Sequence, residues 1–208
     1  MKKNEEPFFS SNPPGVTERL RKKRVFIAGA GGLGSNVATS LVRAGVSDLV
    51  IADFDRIEPS NLNRQQYFRD QVGMLKVDAL KETLLRINPD LKIKTISKKI
   101  TCLNCESIIS ASSEIIFECF DRAEAKAMIA AFCMKERPGI PVIAVSGLAG
   151  TGECGIIKVR KGPANLWIVG DLKTEMNPEN GTISSRVAYT AALQAHTGIR
   201  IMLGLELP

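Results

Sequence analysis

The chain has 208 residues, 44% of them hydrophobic and 24% charged, with a formal net charge of +6. This balance excludes a disordered polymer and supplies enough apolar material for one proper core, while no apolar run approaches the roughly 20 residues that a bilayer span needs. Aromatic residues make up only 5% and the lysines are scattered, so the positive charge suits an anionic ligand or an acidic partner better than nucleic acid, which calls for a basic stripe interleaved with stacking residues.

The start, MKKNEEPFFSSNPPG, carries charge but no apolar segment like that of a signal peptide, which makes the cytoplasm the expected location. Asn12-Pro13-Pro14-Gly15 is expected to separate a loose leader from a basic helix, VTERLRKKR (16–24), so that residues 1–23 stand apart from a single domain over 24–208. Short β-branched runs predict strands over 24–30, 48–53, 91–96, 114–118 and 141–146. Longer helical patterns over 33–44, 70–87, 105–112 and 122–135 fill the gaps. The alternation predicts an α/β, Rossmann-like, mostly parallel sheet with helices on both faces. After Gly147, Gly and Pro punctuation between short apolar runs predicts antiparallel strands extending the sheet at its C-terminal side. The last segment, SSRVAYTAALQAHTGIRIML (184–203), reads as a helix rich in small residues that packs on the sheet or on a second subunit.

Gly29-Ala30-Gly31-Gly32-Leu33-Gly34 follows a predicted strand and opens a predicted helix, which is the context the G-x-G-x-x-G fingerprint requires. Glycine lets the backbone approach a phosphate, whose charge then sits against the helix N-terminus. Asp53, at the end of the second strand, is placed to hydrogen-bond ribose hydroxyls. These features announce a nucleotide, with NAD the commonest occupant. Hydride transfer, however, usually needs a proton relay from His, Tyr or Lys. The only histidine, His196, has packing neighbours, and neither Tyr67 nor Tyr189 has a lysine at helical spacing. The groups after Asp53 suit a triphosphate instead. Arg64 and Lys76 can bracket phosphates and neutralise charge on a leaving pyrophosphate, with Asn61 and Gln65 as neutral donors. Asp121, just past the fourth strand, lies where ligands bind open α/β folds and can hold magnesium. Each of these charges alone could be a solvated surface group or a helix cap; together they fall at successive strand ends.

These residues resemble the ThiF/MoeB/HesA adenylyltransferases, relatives of the ubiquitin-activating enzymes. The resemblance rests on GAGGLGS (29–35), IADFDRIEPSNLNRQ (51–65), GMLKVDALKETLLRINP (73–89) and CFDRAEAK (119–126), and covers roughly the first 150 residues. SNLNRQ is its most specific element. It implies ATP and Mg2+ as cofactors and adenylation of the C-terminal Gly-Gly of a small ubiquitin-like sulfur-carrier protein. It also implies a nucleotide-binding set of Gly29, Gly31, Gly32, Gly34, Asp53, Asp55, Asn61, Arg64, Gln65 and Lys76, with Asp121 on the metal. In the family an arginine from the partner's N-terminal helix reaches the γ-phosphate, and Arg19 or Arg21 occupies that place, which implies a homodimer. The ending, GDLKTEMNPENGTISSRVAYTAALQAH, looks like short ThiF-type proteins of thiamine thiazole synthesis. Activation of a molybdopterin-type carrier or of a tRNA adenosine, a NAD-dependent oxidoreductase, and a nucleotide-binding dimer without catalysis stay open as alternatives.

The chain departs from the family pattern at its thiols. Five irregularly spaced cysteines read as free thiols. Many members hold a structural zinc with two Cys-x-x-Cys pairs, whereas only Cys102-Leu103-Asn104-Cys105 is present, so no zinc is expected. Cys154 is the thiol nearest the segment where larger relatives carry a covalent cysteine, but it is expected to be a buried residue of a strand. Cys119 and Cys133 read as core residues, and the chemistry is expected to stop at the acyl-adenylate.

Overall fold

The computed structural model describes residues 7–109, 112–175, 177 and 179–207. Among the described residues, seven strands form one sheet in the order β3-β2-β1-β4-β5-β7-β6. They are β1 (Arg24–Ala28), β2 (Asp48–Ala52), β3 (Lys92–Ile96), β4 (Ile115–Glu118), β5 (Val142–Val145), β6 (Lys158–Lys161) and β7 (Leu166–Gly170). β1 to β5 pair in parallel and β7 joins β5 in parallel; β6 alone runs antiparallel, against β7. The helices are α1 (Val16–Leu20), α2 (Gly32–Ala44), α3 (Lys76–Ile87), α4 (Cys105–Ile108), α5 (Ala123–Glu136) and α6 (Ser184–Met202).

The central strands are covered on both faces, and their near-continuous apolar sequence is the reason. Val25 and Ile27 face α2, α3 and α6, whereas Phe26 and Ala28 face α4 and α5. Each buried Val, Ile or Phe of this kind stabilises the fold by about 1.5–3 kcal/mol relative to an exposed one. Gly198 of α6 lies so close to Phe117 that a Cβ would overlap the ring, so this helix packs directly on the sheet. The edge strand β3 carries Lys92 and Lys94 outward, charges that discourage pairing with another chain.

Several boundaries differ from the expectations. The helix expected over 70–87 begins only at Lys76, because residues 73–76 turn aside to pair with the loop after β2. Gly73 N donates to Ile57 O, Ile57 N to Met74 O and Lys76 N to Asp55 O, and Gly73 takes a left-handed φ of +89° that allows the bend. α4 stops at Ile108, and residues 110 and 111 of the expected 105–112 helix lie outside the described residues. α1 ends at Leu20 rather than continuing through VTERLRKKR. The described part of the leader is docked, not loose: Phe9 is buried, and Asn12 Nδ2 donates to Thr17 Oγ1 and to Ala44 O. No helix among the described residues is long and apolar enough to cross a membrane.

One buried ion pair was invisible in the sequence. Arg186 of α6 is fully enclosed, with its Nη2 2.7 Å from Asp171 Oδ2, and it donates to the carbonyls of Leu148, Gly152 and Glu153. Amide and hydroxyl donors at Thr174 and Lys173, together with Arg186, hold the Asp171 carboxyl below the usual range despite burial. Arg186→Ala leaves that buried carboxylate without its cation and takes away the donor to three carbonyls. It is expected to lower unfolding free energy by about 3–5 kcal/mol, measured by urea denaturation.

Candidate functional site

The C-terminal ends of β1, β2 and β4 meet at the glycine turn. Gly29 has φ +101°, and a Cβ on it would come within 2.8 Å of the Cys119 carbonyl oxygen, so only glycine lets the exit of β4 lie against the turn. A Cβ on Gly34 would overlap the Gly29 carbonyl oxygen, which explains the third glycine. α2 then opens with no side-chain cap at Gly31. Its first-turn N–H groups are thereby left for an outside acceptor.

Asp53 braces this turn. Its Oδ2 accepts from Ala30 N at 2.6 Å and its Oδ1 from Asp55 N at 2.8 Å. Burial pushes its carboxyl above the ordinary range, opposed by those two amides and by Lys76. Each oxygen keeps a lone pair, enough for two ribose hydroxyls. Tyr67 ties the same layer together by donating its single hydroxyl proton to Ala30 O at 2.6 Å, with Lys76 O at 3.2 Å sharing it. Burial, and secondarily Asp53, drives the Tyr67 phenol well above its usual value, so it remains a donor.

Lys76 opens α3 with only 7% of its surface exposed, and its Nζ lies 2.9 Å from Asp55 Oδ2. The stem of Arg64 passes over Gly32, where a Cβ would come within 3.5 Å of Arg64 Cγ. Its Nη1 donates to Ser60 O at 3.1 Å and to Asn63 Oδ1 at 2.8 Å, contacts within its own exposed loop that a stronger acceptor can displace. Asn61 shapes that loop: its carbonyl accepts from Arg64 N and Gln65 N, and its Oδ1 accepts from Glu58 N at 3.1 Å. Gln65 is 8% exposed and points at Gly31, where its Nε2 would lie 3.8 Å from a Cβ. Its buried Oε1 has no partner among the described residues. An orphaned buried acceptor of this kind costs free energy until a ligand or water donates to it.

The structure therefore gathers Gly29, Gly31, Gly32, Gly34, Asp53, Asp55, Asn61, Arg64, Gln65 and Lys76 around one turn. Asp121 is exposed two residues beyond Cys119, at the same sheet edge. Arg19 is elsewhere. It donates to the Leu203 carbonyl at the end of α6. Val187, near the start of α6, packs against Gly32, so at 1.5 Å per residue Arg19 sits about 24 Å from the turn of its own chain. Arg21 stacks over the Phe9 ring at 5.3 Å.

Ser35 and Asn36 were missed as site residues. Asn36 Nδ2 donates to Gly32 O and Arg64 O, its Oδ1 accepts from Gln66 Nε2 at 2.7 Å, and Ser35 Oγ accepts from Gln66 N. They lace the SNLNRQQ loop to α2. A polar pair directly after the last glycine of the fingerprint was the available signal.

The thiols and the histidine correct other expectations. Cys154 lies in a short 3-10 helix over Cys154–Ile156, half-buried, because the glycines around it bend the chain out of any strand. His196, read as a core or interface residue, is exposed on α6, which corrects the core half of that reading. Cys133 is buried, its thiol pushed up to about 12, and burial likewise pushes Cys119 far upward. Cys105 is buried beside Met128 while Cys102 is exposed. Among the described residues, no three His, Cys, Asp or Glu side chains converge to hold a metal ion. A lone carboxylate such as Asp121 still fits magnesium, which keeps several waters and binds through one or two carboxylates plus substrate phosphates.

The family model for the ThiF family matches residues 7–208. The chain belongs to the ThiF family. It is 36% identical over 146 residues to ubiquitin-like modifier-activating enzyme 5 of Drosophila willistoni, covering 62% of this chain and 36% of that protein. The enzyme of the same name from Caenorhabditis elegans is 33% identical over 145 residues, with 62% and 35% covered. The chain thus spans about a third of the length of these ThiF-family relatives. Its fold is that of E. coli tRNA N6-threonylcarbamoyladenosine dehydratase, TcdA, solved in complex with ATP, at TM-score 0.82, 20% identity and coverage of 91% and 89%. E. coli MccB with AMPCPP and MccA superposes at TM-score 0.72, 25% identity and coverage of 93% and 59%.

Proposed function

We propose that this ThiF-family chain adenylates the C-terminal glycine carboxylate of a small ubiquitin-like sulfur carrier ending in Gly-Gly, with ATP as the AMP donor and thiamine thiazole synthesis as the setting. The observation that carries the reading is the open glycine turn bracketed by Arg64 and the buried Lys76, with a lone carboxylate, Asp121, at the same edge. Complexes of structural neighbours with ATP, AMP and AMPCPP support a nucleotide there, and the enzymes named for ubiquitin-like modifiers support such a carrier.

A carboxylate is already ionised at neutral pH, so the reaction needs positioning and charge stabilisation more than a base. Its oxygen forms a bond to the α-phosphorus of ATP while the α–β bridging oxygen leaves with pyrophosphate. Asp53 orients the ribose. Arg64 and Lys76 offset the charge that builds on the leaving oxygens, and the amides of the α2 turn face the phosphates. Asp121 would hold Mg2+, whose charge supplies further stabilisation of the phosphate oxygens. The position of Arg19, far from its own turn, suits a homodimer in which it serves the partner's site. The same chemistry on a molybdopterin-type carrier or a tRNA adenosine would use this machinery with another acceptor.

Mass spectrometry of the carrier after incubation with enzyme, ATP and Mg2+ tests the reading: an AMP adduct at the C-terminal glycine is expected. An unmodified Gly-Gly carrier beside an adenylated tRNA would contradict it. Asp121→Asn is expected to slow adduct formation by about 10²-fold at limiting Mg2+, a loss partly recovered as Mg2+ is raised.

A further inference from the structure

The exit of β4 contains a charged pair for which the adenylation chemistry has no direct use. Along β4, Ile115 and Phe117 face α2 and α6, while Ile116 faces α4 and α5. By alternation, Glu118 falls on the α5 side, fully buried at the end of an apolar strand. Lys126, one turn into α5, covers it: Nζ lies 3.1 Å from Oε1 and 3.0 Å from Oε2. Oε1 also accepts from Phe120 N at 2.7 Å. Gln194 of α6 donates from the other side to the Glu118 carbonyl at 2.9 Å.

The chain between these anchors is Cys119 to Arg122, the segment that carries Asp121. Its first part is held against the phosphate turn: Cys119 N donates to Ala28 O, and Phe120 Cδ1 would lie 3.5 Å from a Cβ on Gly29. The carboxylate of Glu118 thus grips the backbone one residue before Asp121, and Lys126 grips the same carboxylate from the helix that starts two residues after Asp121. A fully buried carboxylate is expensive unless paired. Two apolar residues in these places would pack as well, which leaves the geometry of the intervening loop as what the pair contributes.

We propose that Glu118 and Lys126 are positioning residues for Asp121, which set how tightly the site takes up the Mg2+ that accompanies ATP. The inference rests on the reading of Asp121 as the carboxylate that holds that ion. Groups that orient a metal ligand are worth tenfold or more in metal affinity, even though they never touch the ion.

Isothermal titration of ATP into the full chain across a range of Mg2+ concentrations tests it, with thermal melting as the check on folding. Glu118→Gln and Lys126→Met are expected to raise the Mg2+ concentration for half-maximal ATP affinity about tenfold. ATP affinity in EDTA is expected to be unchanged, and Lys126→Arg to behave like the native chain. Glu118→Gln keeps the volume and the acceptor for Phe120 N, so it decides the question if Lys126→Met does not fold. A native Mg2+ midpoint in both variants, beside a shifted midpoint in Asp121→Asn, would overturn the positioning role alone. Equal losses of ATP affinity with and without Mg2+ would mark the pair as merely structural and overturn it too. If Asp121→Asn itself leaves the midpoint unchanged, the reading of Asp121 fails and the inference falls with it.

Discussion

Arg64→Ala is expected to reduce the rate of ATP-dependent adenylation by about 10²–10³-fold while leaving the fold almost untouched. The magnitude follows from removing one preorganised donor aimed at developing negative charge, which is worth about 3–4 kcal/mol in the transition state. The stability cost is small because, among the described residues, the guanidinium bonds only Ser60 O and Asn63 Oδ1 of its own exposed loop, and water replaces it at both acceptors. The loop itself is held by main-chain bonds to Asn61 O and by Asn36 at the Arg64 carbonyl, none of which the substitution removes. Initial rates of AMP-adduct formation beside a thermal melt check both halves. A comparable fall in melting temperature and rate would indicate a structural arginine instead.

Lys76→Ala is expected to cost as much in rate and somewhat more in stability. Lys76 is enclosed apart from its Nζ contact with Asp55, whose own side chain keeps 48% of its surface, so the orphaned carboxylate returns to water at little cost. The ion pair is therefore worth about 0–1 kcal/mol. Loss of the packed stem adds roughly another 1 kcal/mol. Lys76→Arg is not expected to restore the rate, because a planar fork does not place its charge where the compact, enclosed ammonium sits 2.9 Å from Asp55. Single-turnover rates at saturating ATP distinguish the two variants: native-like turnover by Lys76→Ala would remove this lysine from the chemistry.

The parts of the site that lie along one stretch of chain were legible. Gly29, Gly31 and Gly34 follow from the steric demands of a strand turning into a helix, and Asp53 from its place at the next strand end. Arg64 and Lys76 were legible as charges after that strand, but the path between them was not. A helical pattern over 70–87 hid the pairing of residues 73–76 with the loop after β2, because a bridge of that kind leaves no periodicity. Tertiary pairs were lost for the same reason. Arg186 sits in a helix that reads as small and apolar, and Asp171 in a polar loop, and nothing local joins them. Glu118 looked like the polar end of a strand, since its partner lies a helix turn into α5. The antiparallel extension was foreseen as a class of structure, yet the return of β7 to run parallel with β5 depends on a crossover that composition does not specify. Cys154 was misplaced because short apolar runs between glycines read alike as strand or as bent loop.

Isotope exchange between labelled pyrophosphate and ATP, with and without a Gly-Gly-ended ubiquitin-like carrier, tests adenylation most directly. Reversal of the first step puts label into ATP only if an acyl-adenylate forms. Exchange is expected to require Mg2+, to rise with added carrier and to be lost in Arg64→Ala. Absence of exchange with the carrier present, or turnover of a nicotinamide cofactor in its place, would contradict it.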